Sequence, residues 1–326
     1  MSALVVLNPA ARGGRARRAR PALDAALARA GIEATVAETA GPGDAERIAR
    51  DADAALVVAA GGDGTVHEVV NGLAGRGRGG PALGVLPLGT GDDVAAALGV
   101  PARLDRAVDA LATPPVPIDL GRVRWDDAGG THTRWFANCL GAGFDAHAAR
   151  LARETKWIGG RAAYLAAVLR TLWAWRRPDV HVRIAVDGVP AFEGPLFLCE
   201  TGNGHSVGGG FLLTPDARPD DGALDVCVVR HLPPSRAVRL LPRSLDGSHV
   251  GAPEVTTCRG GQVEIDVRDG VVALQADGEA LTFGAGRVEI AVAPGAIRAV
   301  APGLAAPPAP RTGETQEAVA ERGYNS

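Results

Sequence analysis

Four short apolar runs in the first third of the chain, LVVLN (4–8), EATVAET (33–39), AALVVAA (54–60) and LGVLPL (83–88), are each followed by a loop and then a helical pattern. Runs this short and this uniformly apolar suit strands buried on both faces, and their alternation with helices calls for a parallel sheet with covering helices. Such a sheet gathers the loops that follow its strands, NPAARGG, TAGPGDA, GGDGT and PLGTGDD, on the edge where open α/β sheets bind ligands.

The pattern changes near PPVPI (114–118), which reads as a linker. Beyond it, apolar and polar residues alternate in HVRIAVDG (181–188), VEIDVRDG (263–270) and VEIAVAPG (288–295), separated by Asp-Gly and Gly turns. The expected architecture is an α/β nucleotide-binding domain over 1–118 and an antiparallel β-sandwich-like domain over 119–302, with helical insertions at 161–177 and 235–245. Residues 303–326, rich in proline and poor in large apolar side chains, read as a disordered tail.

Composition narrows the function. With 326 residues, 46% hydrophobic, the chain can bury two cores, and a net charge of −3 gives no overall basic footprint for nucleic acid. The four cysteines, Cys139, Cys199, Cys227 and Cys258, lack zinc-site spacing and read as reduced core residues of a cytosolic protein. The opening residues read as neither signal peptide nor anchor, and no apolar run reaches spanning length. Lys156 is the sole lysine, so neither a Walker loop nor the strand lysine of a protein kinase is present. A phosphate here must be held by amides, hydroxyls, arginine or metal.

The stretch GGDGTVHEVVNGL (61–73) joins a strand to a helix through glycines, the geometry in which successive amides and a helix N-terminus face an anion. Asp63 beside such an anion would meet a magnesium-bound water or a ribose hydroxyl. A tight turn with Thr65 as N-cap and Glu68 completing a capping box accounts for the same residues, although a turn alone needs one glycine. In PLGTGDD, Thr90 offers a hydroxyl and Asp92 or Asp93 a helix cap. Arg12, Arg15, Arg17, Arg18 and Arg20 follow the first strand, either toward an anionic neighbour or as a solvated helix face. Asp216, Asp220, Asp221 and Asp225 supply hard oxygen donors for a divalent cation, or simply β-turns. Asp187, Asp246, Asp269 and Asp277 each precede glycine and read as hairpins.

In their order, NPAARGG, GGDGTVHEVVNGL, PLGTGDDVA, IDLGRV, FANCLGAGFDA, GNG, GGGFLLTPDARPDDGALDV and ADGE resemble the soluble bacterial diacylglycerol kinase-like lipid kinases, over roughly residues 4–300. Sphingosine and ceramide kinases share that catalytic domain, and NAD kinases share the GGDGT element. The resemblance implies ATP contacts at Asn8, Pro9, Ala10, Ala11, Arg12, Thr39, Gly61, Gly62, Asp63, Gly64, Thr65, Val66, His67 and Thr90. It implies Glu279 as the proton acceptor for the lipid hydroxyl, with Asp63 counted beside it as catalytic. It also implies a magnesium position at Asp221 with the main-chain carbonyls of Arg218 and Ala223, in a network that reaches Asp63 and Asp119 through water. The chain departs from the family at Asp92, where GTGND carries asparagine.

The resemblance therefore implies Mg2+ and ATP as cofactor and donor, and a lipid acceptor taken at the inner face of the membrane by a cytoplasmic protein. Tyr164, Leu165, Val168, Leu169, Leu172 and Trp173, with Lys156, Arg161, Arg170, Arg176 and Arg177 around them, form a stripe that suits a bilayer interface or a domain core. Exposed strand edges of the second domain could pair two protomers. Kinases of phosphatidylglycerol or of a sphingoid base, and a silent regulator, are the alternative readings.

Overall fold

The computed structural model describes residues 2–154, 166, 168–172 and 180–304. Strands β1 (Ala3–Leu7), β2 (Ala34–Glu38), β3 (Leu56–Gly61) and β4 (Ala82–Pro87) pair in parallel in the order β4-β3-β1-β2. Every residue of β3 and β4 is buried, as uniformly apolar strands between two helix layers must be. Helices α1 (Ala11–Arg29), α2 (Asp44–Arg50), α3 (Asp63–Ala74), α4 (Asp93–Ala97) and α5 (Leu104–Ala110) cover the sheet. The expected sheet is present, each strand within two residues of its apolar run.

Strands β5 (Val116–Asp127), β6 (Gly130–Phe136), β8 (His181–Val186), β12 (Gln262–Asp269) and β15 (Arg287–Ala299) form one antiparallel layer of the second half. The other contains β7 (Cys139–Gly143), β10 (Leu224–Arg230), β11 (Val255–Gly260), β13 (Val272–Ala276) and β14 (Glu279–Ala285). The long β9 (Val189–Gly202) joins both, pairing with β8 through Pro195 and with β7 from Leu198 onward. Between the layers Phe136, Leu140, Ile184, Leu196, Val226 and Ile265 form a core, each from an alternating, inward position. Helix α6 (Phe144–Glu154) follows β7, and α7 (Pro234–Leu240) follows β10.

Two local expectations are corrected. PPVPI is not a linker, because Val116 to Ile118 already pair with Ala299 to Ile297 of β15. Proline is accommodated at Pro117 because β6 pairs with β5 only from Gly121, leaving an open edge where a missing donor costs little. The second helical insertion is interrupted: α7 stops at Leu240 and a 3₁₀ turn over Pro242–Ser244 replaces its continuation, as proline cannot extend the ladder. Ile297, Ala299 and Val300 return to pack in the core of the first half, so the chain's two halves share one continuous framework. Most of the expected helix 161–177, and the tail beyond Leu304, lie outside the described residues.

Candidate active site

Three loops meet at the C-terminal ends of β1, β3 and β4. Asn8 ties the first to the second: its Nδ2 donates to Thr65 Oγ1 at 3.0 Å, and its Oδ1 accepts from the Ala10 N–H at 3.0 Å. Arg12, Gly13 and Gly14 take left-handed angles in succession (φ 54°, 65° and 84°), so regular helix begins only after them and the intervening backbone curls outward. Gly62 is extended, and α3 starts directly at Asp63. The glycines of GGDG do separate work: a Cβ on Gly61 would strike Thr65, one on Gly62 would press on Gly89, and one on Gly64 would strike the Glu279 carboxylate. Close approach by three different neighbours, not a turn alone, explains why three are present.

Thr65 is not the cap of α3. It lies inside the helix, buried, with Asn8 as partner. Glu68 completes no capping box, because its carboxylate accepts instead from the Gly43 and Ala45 N–H groups at 2.9 and 3.1 Å, at the start of α2. Nor does either expected aspartate cap α4. Asp92 is left-handed (φ 56°), which turns its carboxylate back to the Gly89 N–H at 2.9 Å. Asp63 reaches across and accepts from the Asp92 and Val94 N–H groups at 2.9 and 3.3 Å. Asp93 is buried and fastens the halves together, accepting from the Ser206 hydroxyl at 3.0 Å and the Gly209 N–H at 2.8 Å.

These carboxylates sit in excess of nearby positive charge. Withdrawal from water, then Asp93 and Asp92, push Asp63 up to about 8. Burial raises Asp92 to about 6 against the pull of the Gly89 N–H and Arg12, and burial likewise raises Asp93. Asp63 keeps some exposure, so a cation can reach it. Among the described residues no three His, Cys, Asp or Glu side chains form a metal cage.

The second half closes the site from above. Asp277 and Gly278 form a two-residue turn with positive φ at both (50° and 82°), joining β13 to β14 at the Ala276–Glu279 pair. Asp277 is more than a hairpin residue: its buried carboxylate accepts from the N–H groups of Ala137, Asn138 and Cys139 at 3.0, 2.9 and 3.1 Å and lies 3.1 Å from His67 Nδ1 of α3. This network holds the turn against α3, so Glu279 rests over Gly64. Of the expected nucleotide contacts, Asn8 to Arg12, Gly61 to Gly64 and the exposed Thr90 border this loop edge, and Thr39, whose N–H donates to Leu7 O at 2.9 Å, begins the neighbouring loop. Val66 and His67 face inward, Val66 into the core and His67 toward Asp277.

The aspartate-rich stretch is arranged by ion pairs. Asp221 meets Arg259 at 2.5 Å and accepts from the Ala223 N–H at 3.2 Å, while Arg218 forks onto Asp220 with both bonds at 3.0 Å. Asp119 accepts from the Gly222 and Gly295 N–H groups at 2.7 and 2.6 Å, pinning that stretch to β15. The Asp221 carboxylate therefore carries a guanidinium in this structure.

An apolar cavity of about 80 Å³ lies on the outer side of β9 and β10, lined by Phe144, Val168, Leu172, Phe197, Phe211 and Leu241 among others. Its lining is apolar except for a few groups, of which Asp145 is the acidic one. Asp145, Glu200 and Gln275 were not singled out by sequence reasoning; only the aspartate of FANCLGAGFDA carried any signal.

The diacylglycerol kinase catalytic domain model matches residues 2–123, and the YegS C-terminal NAD kinase beta sandwich-like domain model matches residues 138–301. The "Probable lipid kinase YegS-like" protein of Pseudomonas aeruginosa is 36% identical over 84% of this chain and 86% of its own length. The chain belongs to the diacylglycerol kinase-like family of lipid kinases. The diacylglycerol kinases of Mycobacterium tuberculosis and Bacillus subtilis are 34% and 31% identical over 68% and 77% of this lipid kinase, and 69% and 80% of their own lengths. A diacylglycerol kinase crystal structure from Bacillus anthracis shares the fold, with a TM-score of 0.68, 22% identity, and coverage of 94% of this chain and 98% of that one. Among the described residues no helix is long and apolar enough to cross a membrane.

Proposed function

We propose that this kinase transfers the γ-phosphate of ATP, with magnesium, to the hydroxyl of a membrane lipid, diacylglycerol becoming phosphatidic acid. The observation that carries the reading is the seat of Glu279 over Gly64, at the start of α3 and beside the loops that follow β1 and β4. In that position a carboxylate takes the proton of the attacking hydroxyl while the bond from the γ-phosphorus to the bridging oxygen breaks and ADP leaves. The amides at the start of α3 and the curled backbone at Arg12 to Gly14 face the phosphates, and Arg12 supplies a positive charge beside Asp92. Magnesium, when bound, neutralises the charge developing on the transferring group. Asp63 and Asp92 are the carboxylates suited to hold it, directly or through water.

Two features support a lipid acceptor. The cavity has an apolar wall, the lining that acyl chains need. The segments that supply Val168, Ala237, Ser244 and His249 to its lining also expose Leu169, Val238, Leu245 and Val250 at 37–49% each, interspersed with Arg170, Arg239 and Arg243, a mixture that suits an anionic bilayer surface.

The test is transfer of label from γ-labelled ATP to diacylglycerol, phosphatidylglycerol, sphingosine and NAD, with Glu279→Gln and Asp63→Asn proteins alongside. Label in diacylglycerol, lost in both variants, is the expected result. Transfer to none of the lipids while ATP still binds overturns the reading in favour of a regulator.

A further inference from the structure

Gly141 of β7 lies between Gln275 of β13 and Glu200 of β9 in direct register across three strands. The Asp145 carboxylate, in the first turn of α6, folds back over the same glycine. A Cβ at Gly141 would lie within 3.0 Å of Asp145 Oδ2, Gln275 Nε2 and Glu200 Oε2 at once, so three polar side chains from three elements converge on one point. Of the three, Asp145 also lines the apolar cavity. Glu200 is 0% exposed, and among the described residues neither of its oxygens has a hydrogen-bond partner beyond contact with the weakly donating Cys139 thiol. An orphaned, fully buried carboxyl group costs free energy, and a site that keeps one has a use for it.

The cluster is also wired to the chemistry. Gln275 Nε2 donates to Asp145 Oδ2 at 2.6 Å, and its Oε1 accepts from the Gly278 N–H at 2.7 Å, the peptide just before Glu279. Asp145, Asp277 and Asp93 all face Glu200 and, with burial first, raise its carboxyl well above the ordinary range, so it stands as a neutral donor among carboxylates.

Building on the lipid-kinase reading, we propose that Asp145, backed by Glu200 and Gln275, receives the uncharged polar head of the acceptor while its acyl chains lie against the apolar wall of the cavity. A hydroxyl or ester oxygen finds both an acceptor and a donor there, whereas a phosphodiester head would bring one more negative charge to a group of carboxylates. Gln275 then sets the Glu279 turn by the head's position, which makes it and Glu200 positioning residues.

The test compares dioctanoylglycerol with dioctanoyl phosphatidylglycerol as acceptors, by kcat/KM and by calorimetric binding, in the full chain. The natural protein should prefer the uncharged acceptor. Asp145→Asn and Glu200→Leu should each lower kcat/KM for it by about tenfold and shrink the preference equally, with the KM for ATP within twofold. Glu200→Gln, which keeps a neutral donor, should restore most of the loss and carries the test should Glu200→Leu not fold. Equal losses for both acceptors, a parallel rise in the KM for ATP, or no loss would overturn the proposal and leave Glu200 with a buried water as partner. If the natural protein transfers phosphate to neither acceptor, the lipid-kinase reading fails first. Binding then decides this one: dioctanoylglycerol bound and weakened in both variants sustains it, and no binding, or unchanged binding, overturns it.

Discussion

Two hairpins of the second half have the same turn and different fates. Asp187–Gly188 joins β8 to β9 with φ of 49° and 77°, and Asp277–Gly278 joins β13 to β14 with φ of 50° and 82°. At the first, the exposed aspartate accepts from the Gly261 and Gln262 N–H groups at 3.0 and 2.8 Å and simply ties down an adjacent turn. At the second, the aspartate is 3% exposed, gathers three N–H groups and a histidine, and sets a glutamate over the start of α3. Asp-Gly closes a type I′ hairpin at these two positions but not at Asp246 or Asp269, expected as hairpins too, where the aspartate is not left-handed; what the turn does then depends on what the rest of the fold brings to it.

The largest break in that comparison is at the residue after each glycine. Glu279→Gln should reduce phosphate transfer by about 10²–10⁴-fold, the usual range for a lost general base, with ATP affinity kept within a few-fold. The corresponding change after the other turn, Val189→Gln at an exposed site, should leave kcat within twofold. Steady-state kinetics on the two variants reads this directly. Equal losses would mean that Glu279 acts only through the fold.

Next comes the aspartate itself. Asp277→Asn keeps the shape but turns a four-way acceptor into an amide facing N–H donors, and should cost about 3 kcal/mol in urea unfolding. Asp187→Asn, in solvent, should cost about 0.5 kcal/mol or less.

How much of this was legible beforehand follows the same division. The four parallel strands and the type I′ turns were readable because apolar runs and Asp-Gly pairs act over a few residues. PPVPI misled because proline reads as a break, and nothing local reveals the open strand edge at Pro117 that tolerates it. Thr65 and Glu68 spell a capping box, yet Asn8 and the start of α2 claim their side chains from elsewhere in the fold. Asp63 was marked by the glycine loop that holds it, whereas Glu279 was reached only through family resemblance. Asp277, Asp145, Glu200 and Gln275 were missed because their roles come from sheet register, Gln275 beside Gly141 beside Glu200, which no short window contains.

Charge sharpens the comparison. Asp63, near Asp277, has a folded-state value of about 8 against an ordinary value near 4, so the folded protein binds more protons than the unfolded chain between those limits. Stability should therefore fall as pH rises from about 4 toward 8, and flatten above. Asp63→Asn should remove much of that slope and raise the melting temperature at pH 8 by about 4 °C, an effect on the order of 1–2 kcal/mol. Magnesium with ATP should raise the natural protein's melting temperature at pH 8 more than at pH 6, because the cation replaces the missing proton. Calorimetric melting across pH, with and without the nucleotide, reads both, and a slope unchanged in Asp63→Asn would remove Asp63 as its source.

The smallest effect tests whether the two turns are alike at all. Gly188 and Gly278 have φ of 77° and 82°, and a Cβ at either would meet nothing within 4 Å. Alanine at each should then cost the same, about 1–2 kcal/mol for a left-handed non-glycine residue, with no steric contribution. Equal stability losses alongside unequal activity, full transfer in Gly188→Ala and a several-fold drop in Gly278→Ala as Glu279 shifts, would separate the local turn from its use. A much larger stability loss at Gly278 would instead mean that the Asp277 network strains its turn, and the activity lost there could no longer be assigned to the position of Glu279.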